Sequence, residues 1–290
     1  MKVQFISAGP IEWGSSRMRC YWPSRYMEDA SVITIQDFIK RSRETETAPR
    51  ADVYIWQKHA FPEWMEQLPG RHWYDTCDPM HWFSPDAARK VDRSVEGVVA
   101  SNPKLAEDYT AWAGRQCHVI SDRLELEHFN LQREHVDTQR VRIIWYGVAV
   151  NRISLAAAWA NLSRLRANGY NITLTILDNY PQAPLNFGNE IPLEYARWSL
   201  EDEVPTIAAH DIALLPPYPG PWGLLKSNNK ELAAKACGLP VTDGQDYFEL
   251  VALIEDHQLR QRLGDQGRKD VETFWTVDRS AKQWERLLCS

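Results

Sequence analysis

The sequence has no long run of apolar residues. No segment of the 290 residues approaches the run of about 18 apolar residues that a membrane-spanning helix needs. The first ten residues, MKVQFISAGP, read as a short strand followed by a loop, and they have neither the apolar stretch nor the cleavage site of a signal peptide. We therefore expect no stable membrane insertion and a cytoplasmic location.

Paired cysteines and the common cofactor motifs are also missing. No CxxC or CxxH pair occurs, and the GxGxxG loop, the Walker A loop, the HExxH motif and the nucleophile elbow are absent. The pattern indicates neither a zinc site nor a disulfide framework, and it fits a reducing compartment. We expect no metal and no resident cofactor. The five scattered cysteines are Cys20, Cys77, Cys117, Cys237 and Cys289.

An excess of positive charge is absent as well. The formal net charge is −6 and the isoelectric point is about 5.8. Overall charge therefore gives no support for non-specific binding of nucleic acid, although a local basic groove is compatible with this sum. Tryptophan, in contrast, is abundant at 13 residues. Most of these side chains are expected in the core, but some can stack on sugars or bases.

Short apolar runs typical of buried strands alternate with helical segments along the chain. The predicted strands are residues 3–8, 32–38, 52–57, 71–76, 95–101, 117–120, 141–148, 172–177, 195–198, 211–215 and the vicinity of 241. The polar run 40–50 is predicted to be a loop. This alternation predicts parallel, doubly wound α/β sheets, and the length is sufficient for two domains.

The most informative stretch is 226–241, called the organising stretch below, and it reads as a loop, a helix, a stop and a strand. Gly238 and Pro240 end the helix, and an alanine-rich segment precedes them. The residue types that cap helix N-termini come first, as Ser227, Asn228 and Asn229.

The same stretch predicts an anion site. The N–H groups and dipole at a helix N-terminus favour a negative group, and a lysine adds a full charge. Lys226 and Lys230 are placed to do this. The alternative is an ordinary amphipathic helix with solvated lysines.

Polar side chains follow the predicted strands of the first half, at the end of each strand where α/β sheets place their ligand groups. Lys58 and His59 follow the third strand, and Asp78 and His81 follow the fourth. We predict acceptor contact for Lys58 and proton transfer for Asp78, His59 and His81. The alternatives are a turn cap for Asp78 and simple exposure for His81.

Two further loops carry candidate ligand groups. The loop after the first strand contains two serines and two arginines, and the arginines either meet an anionic donor or acceptor or are solvated. A proline-rich loop before the organising stretch holds two aromatic side chains, which are candidates for stacking on a base or a sugar. These residues are Ser15, Ser16, Arg17, Arg19, Tyr218 and Trp222.

The motifs of the second half resemble those of GT-B glycosyltransferases of the family-4-like group, over residues 141–288. The matching pieces are Ser227, Asn229, Lys230, Ala236, Gly238, Pro240, Val241, Leu263, Gly264, Gly267 and Arg268. The resemblance implies a GT-B fold of two Rossmann-like domains facing a central cleft. It places an acceptor domain at 1–134, a donor domain at 141–274 and a terminal helix at 275–290 that packs back on the first domain.

The resemblance also implies a function and a donor site. It suggests transfer of a sugar from a nucleotide-sugar, without metal and with retention of configuration, to a glycan, a small molecule or a modified DNA base. In the family, a glycine and basic residues after the first strand of the second domain hold the diphosphate. Gly147 and Arg152 match these positions, and they join Lys226, Lys230 and the 227–229 loop.

The acidic pair typical of the family is missing. The two positions are occupied by Leu225 and Ala233, and Glu231 lies about 200° round the helix from Ala233. This departure keeps two alternatives open, a non-catalytic GT-B-like binding protein and a sugar-nucleotide epimerase. A DNA acceptor would require a basic groove that includes Arg17, Arg19 and Lys58.

Overall fold

The structure is a computed structural model of the chain and describes residues 1–44, 50–180 and 190–289. It forms two compact units. Unit 1 comprises Met1–Arg123, Leu225–Ser227 and the C-terminal segment from Thr276, and unit 2 comprises Leu124–Leu224 and Asn228–Trp275. Unit 1 therefore ends its first segment before residue 134, where the sequence placed the boundary.

The bounds of the elements follow in chain order. The strands are β1 (Val3–Ser7), β2 (Ala30–Thr34), β3 (Val53–Gln57), β4 (Arg71–Thr76), β5 (Gly97–Ala100), β6 (His118–Val119), β7 (Val141–Gly147), β8 (Ile172–Asp178), β9 (Leu193–Arg197), β10 (Ile212–Leu214) and β11 (Val241–Thr242). The helices are α1 (Gly14–Ser16), α2 (Trp22–Ser24), α3 (Ile35–Glu44), α4 (Pro62–Met65), α5 (Met80–Phe83), α6 (Pro85–Ser94), α7 (Pro103–Ala113), α8 (Ala156–Ala167), α9 (Glu203–Ala208), α10 (Asn229–Ala236), α11 (Tyr247–Glu255), α12 (His257–Phe274) and α13 (Val277–Leu288). A π-helical turn, Arg17–Tyr21, joins α1 to α2, and Ala149–Leu155 and Pro221–Leu225 are 3-10 helices.

Unit 1 is built on a parallel six-stranded sheet in the order β2-β1-β3-β4-β5-β6. Every residue of β1 and β3 is buried, as expected for strands covered on both faces. One face packs around Trp56 and Phe38, and the other around Phe5 and Trp284. Trp284 of α13 meets Phe5 edge-on, with 6.1 Å between the ring centroids.

Unit 2 is built on a parallel five-stranded sheet in the order β11-β10-β7-β8-β9. All seven residues of β8 are buried, and Trp145, Leu162 and Leu174 lie in the core around it. Both units thus confirm the predicted doubly wound α/β class. In each sheet the strands end at one edge, referred to below as the carboxyl edge, and this edge gathers the loops that carry the candidate site residues.

The prediction of a strand over residues 32–38 was wrong in its second half. The chain turns at Thr34 into α3, because Ile35, Phe38 and Ile39 have helical spacing and lie on the core side. Thr34 Oγ1 accepts a hydrogen bond from the Asp37 amide at 3.1 Å, as an N-cap side chain does, and donates to the Asp37 carboxylate at 2.7 Å. The loop predicted over 40–50 is therefore helical as far as Glu44, and residues 45–49 lie outside the described part.

The organising stretch has the predicted order of a loop, a helix, a stop and a strand. After α10, Gly238 has a φ of 74°, in the left-handed region that glycine favours. The Leu239 amide donates to the Ala234 carbonyl at 3.0 Å, which closes the helix end. The chain then enters β11 directly.

The ranges 1–44, 50–180 and 190–289 contain neither a membrane-spanning helix nor a metal centre. None of their helices combines the length and apolar character needed to cross a membrane. Among the same residues, no group of three or more His, Cys, Asp or Glu side chains is arranged to hold a metal ion.

Candidate functional site

Unit 1 brings three predicted site residues together at its carboxyl edge. Lys58 follows β3, Asp78 follows β4, and Lys226 comes from the short segment Leu225–Ser227. The Nζ of Lys58 lies 2.7 Å from Oδ2 of Asp78, and the Nζ of Lys226 lies 2.8 Å from Oδ1. Each oxygen of one carboxylate therefore binds one ammonium group, and we call these three residues the lysine–aspartate cluster.

In the lysine–aspartate cluster, the opposite charges stabilise each other's ionised form. Burial favours the neutral form of Asp78, but Lys226 and Lys58 outweigh this effect and lower its pKa below the usual value. Burial also opposes the charge of Lys58, but Cys77 and Asp78 raise the pKa of Lys58 overall. A carboxylate held in this way is ionised and weakly basic, which argues against Asp78 as the proton acceptor.

The backbone at Lys58 is strained. Its φ of 65° lies in the left-handed region, where a residue with a Cβ is less stable by about 1–2 kcal/mol. The strand neighbours fix this conformation, because the Lys58 amide donates to the Asp75 carbonyl at 2.8 Å and Tyr74 Oη donates to the Lys58 carbonyl at 3.0 Å. Such strain is typical of positions where a side chain is aimed for function.

Three contacts anchor the segment that supplies Lys226. The Leu225 side chain is buried in the apolar core of unit 1, and Asn102 Nδ2 donates to the Leu225 carbonyl at 2.8 Å. Ser227 Oγ donates to Oδ2 of Asp122 at 2.6 Å. The hydroxyl of Ser227 is thus bound to Asp122, which argues against its predicted diphosphate contact.

The two arginines predicted to meet an anion are buried among protein partners. Arg19 pairs with both oxygens of Asp75 and with Asp122, and its side chain is 2% exposed. Burial opposes the charge of Arg19, but these carboxylates raise its pKa, so the guanidinium is charged. Arg17 donates to the Ile11 and Glu12 carbonyls. Their placement argues against a direct role for either arginine at a ligand.

The loop after β1 is likewise held by hydrogen bonds to groups of the protein itself. Ser16 is buried, and its Oγ accepts a hydrogen bond from the Gly9 amide at 3.1 Å. Ser15 is half-buried. Ser16 therefore binds the backbone of its own loop rather than the lysine–aspartate cluster.

The two candidate histidines differ in environment. His81 is 3% exposed, and its Nε2 lies 2.7 Å from Oδ2 of Asp108. Burial lowers the pKa of His81, and Asp108 opposes this only partly. His59 is exposed, and both desolvation and the charge of Lys58 lower its pKa. Of the two, only His59 has a ring that solvent reaches.

Unit 2 places Lys230 at the end of its central strand. The Nζ of Lys230 lies 5.3 Å from the centre of the Trp145 ring, and a Cβ built on Gly147 would lie 2.6 Å from that Nζ. Tyr146 Oη donates to the backbone carbonyl of Lys230. The glycine therefore lets the ammonium group approach the end of β7.

Arg152 is paired with an acid that the sequence analysis missed. Arg152 binds both oxygens of Asp178, with side chains 6% and 0% exposed. Asp178 ends β8 directly opposite Gly147 in the sheet register. The pair balances the charge of Arg152, which weakens the predicted attraction between this side chain and a diphosphate.

The start of α10 and the proline-rich loop complete the predicted residues of unit 2. Asn228 stands at the N-cap without a side-chain cap hydrogen bond, and Asn229 is the first helical residue. Both are half-buried. Tyr218 and Trp222 contact each other edge-on, with 5.6 Å between the ring centroids, so these aromatics form a pair within one loop.

The two positions at which the resemblance leads us to expect acids are apolar and buried. Leu225 is 7% exposed and Ala233 is 3% exposed. Glu231 binds Lys235 one turn further along α10, with 2.5 Å between Nζ and Oε1. It therefore does not replace either missing acid.

Unit 2 also has a cavity of about 870 Å³ that no sequence motif indicated. It is lined by carboxylate side chains and Lys235, together with apolar residues of β11 and α12. An acidic lining does not suit a diphosphate, and the cavity contains neither Lys230 nor Arg152. Its carboxylates are those of Glu231, Asp243, Asp246 and Glu249.

Asp178 and Asp122 are the functional-site neighbours that sequence reasoning missed. Each stands at or just after the end of an apolar strand run, at the carboxyl edge. That position is the one signal that pointed to them. Their arginine partners lie 26 and 103 residues away in the sequence, and sequence alone does not reveal such pairings.

No family model matches the chain, and the search of curated proteins found no match. Solved structures do match. An alpha-glucosyltransferase in complex with UDP and a 13-mer DNA containing an HMU base aligns with a TM-score of 0.70 at 8% identity, over 99% of each chain. The chain has the GT-B fold.

Two further neighbours share this fold. A glycosyltransferase from Rickettsia africae aligns with a TM-score of 0.67 at 10% identity, over 98% of this chain and 96% of that one. TarM, known from S. aureus, aligns with a TM-score of 0.60 at 10% identity, over 82% of this chain. The chain spans 55% of the length of TarM. At these identities the likeness concerns the fold alone.

Proposed function

We propose that this protein is a glycosyltransferase that moves a sugar from a nucleotide-sugar to an acceptor. The observation that carries the proposal is the position of Lys230 against Gly147 at the end of β7, the central strand of unit 2. Two of the neighbours, the alpha-glucosyltransferase and TarM, were solved with UDP. A nucleoside diphosphate is the leaving group of such a reaction.

Lys230 and α10 supply the electrostatic part of the mechanism. Negative charge grows on the diphosphate as the sugar leaves, and the Lys230 ammonium stabilises it in a fixed position. The N–H groups at the start of α10, near Asn228 and Asn229, add a favourable dipole. In this mechanism a protein cation does the work of a metal ion, so transfer is metal-independent. The retaining outcome is carried over from the resemblance.

Arg152 and Asp178 have a positioning role in this proposal. Asp178 holds the guanidinium of Arg152 beside the turn that follows β7, and its own Oδ1 accepts from the Tyr180 amide at 2.8 Å. The pair keeps the turn in place while Lys230 provides the charge. A preorganised site of this kind needs no rearrangement at the moment of reaction.

The test is a panel of nucleotide-sugars and nucleoside diphosphates. Thermal shift measures binding, and release of nucleoside diphosphate measures slow hydrolysis of the donor. We expect one donor to stabilise the wild-type protein and to be hydrolysed, and we expect Lys230→Ala to lose both effects.

Lys235→Ala is the matched control for this test. It removes a lysine from the same helix, where Lys235 pairs with Glu231 and is 31% exposed. Both variants change the net charge equally. If no donor stabilises a well-folded wild-type sample, or if the two variants lose binding to the same extent, the proposal fails.

The buried apolar side chains at the family's acidic positions support a second candidate, a GT-B-like protein that binds a ligand without turnover. Leu225 and Ala233 leave no carboxylate at these positions to hold the ribose. This candidate predicts donor stabilisation that depends on Lys230 without any release of nucleoside diphosphate. The same panel therefore separates the two functions.

A modified DNA base is one of three acceptor classes in the proposal, beside a glycan and a small molecule. The DNA-bound alpha-glucosyltransferase matches 99% of this chain, but a net charge of −6 does not favour a polyanion. Binding of DNA would weaken steeply with salt, in proportion to the number of phosphates contacted. A salt titration with a short duplex that contains a hydroxymethylated base tests this acceptor.

A further inference from the structure

Two tryptophans of unit 1 are exposed, although tryptophan is highly buried on average. All thirteen tryptophans lie in the described ranges, and only Trp13 and Trp82 are exposed, at 53% and 43%. Trp13 follows β1, and Trp82 lies in α5 after β4, so both stand on segments that leave the carboxyl edge of the sheet. The proposed donor site lies in unit 2 and does not account for them.

Trp13 is held against the backbone of its own loop. A Cβ on Gly9 would lie 2.5 Å from Cδ2 and Cε3 of the indole, so only a glycine lets the ring lie this close. The Trp13 amide donates to the Pro10 carbonyl at 3.0 Å, and the Trp13 carbonyl accepts from the Arg17 amide at 2.9 Å. The loop therefore fixes the ring on one side while solvent reaches the rest of it.

Trp82 is supported by a buried histidine. The His81 ring meets the Trp82 ring edge-on, with 6.3 Å between the centroids, and His81 is itself bound to Asp108 at 2.7 Å. The Trp82 amide donates to the Pro79 carbonyl at 3.0 Å. Both exposed rings thus occupy fixed positions, which reduces the entropy that a ligand contact would cost.

The two rings flank a polar position of the same edge. In the sheet, β3 is the one strand between β1 and β4, so the ends of β1 and β4 lie about 10 Å apart. His59 follows β3 and is exposed, and desolvation together with the charge of Lys58 lowers its pKa. A neutral imidazole offers one donor and one acceptor, which suits hydroxyl groups.

The charges beside the rings disfavour a phosphate. Glu12 precedes the first ring in the chain, and Asp86 lies in the first turn of α6, the helix after the second ring. Both carboxylates are exposed; they accept hydrogen bonds from hydroxyl groups and repel a polyanion. The ammonium group of Lys58 is paired with Asp78 at 2.7 Å. A neutral ligand rich in hydroxyl groups fits these surroundings better than a nucleic acid.

We propose that Trp13 and Trp82 are stacking platforms for a neutral carbohydrate chain that binds to unit 1. The apolar face of a sugar ring packs on an indole, and two platforms suit a ligand with more than one ring. The polar groups available to its hydroxyls are Glu12, His59 and Asp86. The further statement that this carbohydrate is the acceptor rests on the proposed glycosyltransferase function, and it selects the glycan among the three acceptor classes.

The platforms can be removed one at a time. We expect Trp13→Ala and Trp82→Ala each to weaken carbohydrate binding about three- to tenfold, the scale of one aromatic contact. Gly9→Ala should weaken it as much as Trp13→Ala, because the new Cβ pushes the ring away without removing an aromatic group. Phe248→Ala is the matched control, since it removes an exposed aromatic ring from α11 in unit 2.

The probes are tetrasaccharides of α-linked glucose, β-linked glucose and β-linked N-acetylglucosamine. They are titrated into the full chain and followed by the indole N–H signals in NMR spectra, which the variants Trp13→Tyr and Trp82→Tyr assign. The supporting result is a saturable shift of both signals with at least one tetrasaccharide. Binding should weaken in the two alanine variants and stay unchanged in Phe248→Ala.

Four results would overturn the proposal. They are no saturable shift of one or both indole signals with any tetrasaccharide, an equal loss in Phe248→Ala, wild-type affinity in a folded Gly9→Ala variant, and tighter binding of a single-stranded thymidine oligonucleotide than of every tetrasaccharide. The last result would mean that the rings stack on nucleobases.

A parallel titration with UDP separates this proposal from the proposed function. The function predicts UDP binding that Trp13→Ala leaves intact and Lys230→Ala removes. If UDP binds and no tetrasaccharide does, the carbohydrate site fails while the function stands. If a tetrasaccharide binds at the two rings and UDP does not, the function fails while the carbohydrate site stands.

Discussion

Lys226 and Asp78 are 148 residues apart in the sequence, and their side chains form an ion pair of 2.8 Å in unit 1. The pair makes Lys226 part of the first unit, although the chain on both sides of Leu225–Ser227 belongs to the second. Lys230 lies only one helical turn further along the chain and stands at the end of β7 in unit 2. Two lysines that the sequence assigned to one anion therefore belong to two different units.

Arg19 and Asp75 form a buried pair whose loss should be costly. We expect Asp75→Asn to lower the free energy of unfolding by about 3–5 kcal/mol, because it leaves a buried guanidinium short of one charge partner. Arg71 and Glu96 provide the matched control, since Glu96 also binds an arginine through both oxygens but is 44% exposed.

For Glu96→Gln we expect a loss of about 0–1 kcal/mol, since exposed ion pairs contribute little. Urea denaturation of the two variants beside the wild type measures both losses. Equal losses for Asp75→Asn and Glu96→Gln would show that burial does not decide the strength of these pairs.

The two glycines of α12 should respond differently to alanine. A Cβ on Gly264 would lie 2.1 Å from the backbone oxygen of Gly238, which cannot move easily, whereas a Cβ on Gly267 would lie 2.8 Å from Cγ of the flexible Lys235. We expect Gly264→Ala to destabilise by about 1–3 kcal/mol.

For Gly267→Ala the crowding is offset by the higher helix propensity of alanine, about 0.5–1 kcal/mol. Its net effect should therefore be near zero. Melting temperatures of the two variants test this contrast, and a Gly264→Ala protein as stable as the wild type would contradict the close approach between α10 and α12.

The apolar strand runs and the order of the elements were predictable because each depends on local pattern. The runs at β1, β3 and β8 are continuous, and the stop at Gly238 depends on residues next to it in the chain. The turn from β2 into α3 was not predicted, because β-branched residues at Val32, Ile33 and Thr34 favour a strand as strongly as the capping of α3 favours a helix.

The candidate site was predictable in its positions but not in its pairings. Lys58 and Asp78 were found because each follows a strand of a parallel sheet. Arg19 looked like a ligand-binding arginine because its partners, Asp75 and Asp122, lie 56 and 103 residues away. Burial and ion pairing between distant residues leave no local pattern in a sequence.

Acidification should destabilise the protein through its buried histidines. Burial lowers the pKa of these side chains in the folded state, whereas the unfolded value is about 6.5. The unfolded state therefore binds more protons just below that pH. The contribution of these histidines to the free energy of unfolding is fully present above about pH 6.5, and it is lost as the pH falls towards their pKa values in the folded state. The buried histidines are His72, His81, His135 and His210.

Urea denaturation at a series of pH values between about 7.5 and 5.5, a range that brackets the unfolded histidine pKa, measures this loss. His72 and His210 are the best reporters, one in each unit, because both are buried. We expect the double variant His72→Gln, His210→Gln to show a shallower fall, even if it starts from lower stability. A free energy of unfolding that stays constant or rises on acidification would contradict the prediction.

Gly147 should matter to both donor binding and folding, because its φ of 157° is one that residues with a Cβ rarely adopt. A Cβ at this position would lie 2.6 Å from Nζ of Lys230 and 3.0 Å from Cε, and the flexible lysine would swing aside to avoid it. We expect Gly147→Ala to weaken UDP binding about tenfold, the scale of one ion pair in a partly buried site, and the strained backbone to lower the melting temperature as well.

A double-mutant cycle distinguishes this cause from a general disturbance of the turn after β7. If Gly147→Ala acts by displacing the Lys230 ammonium, it should have little further effect on UDP binding once Lys230→Ala has removed that group, and the two losses should be far from additive. Additive losses would mean that the alanine disturbs the site by another route. Lys230 would then not be the group that Gly147 admits to the donor.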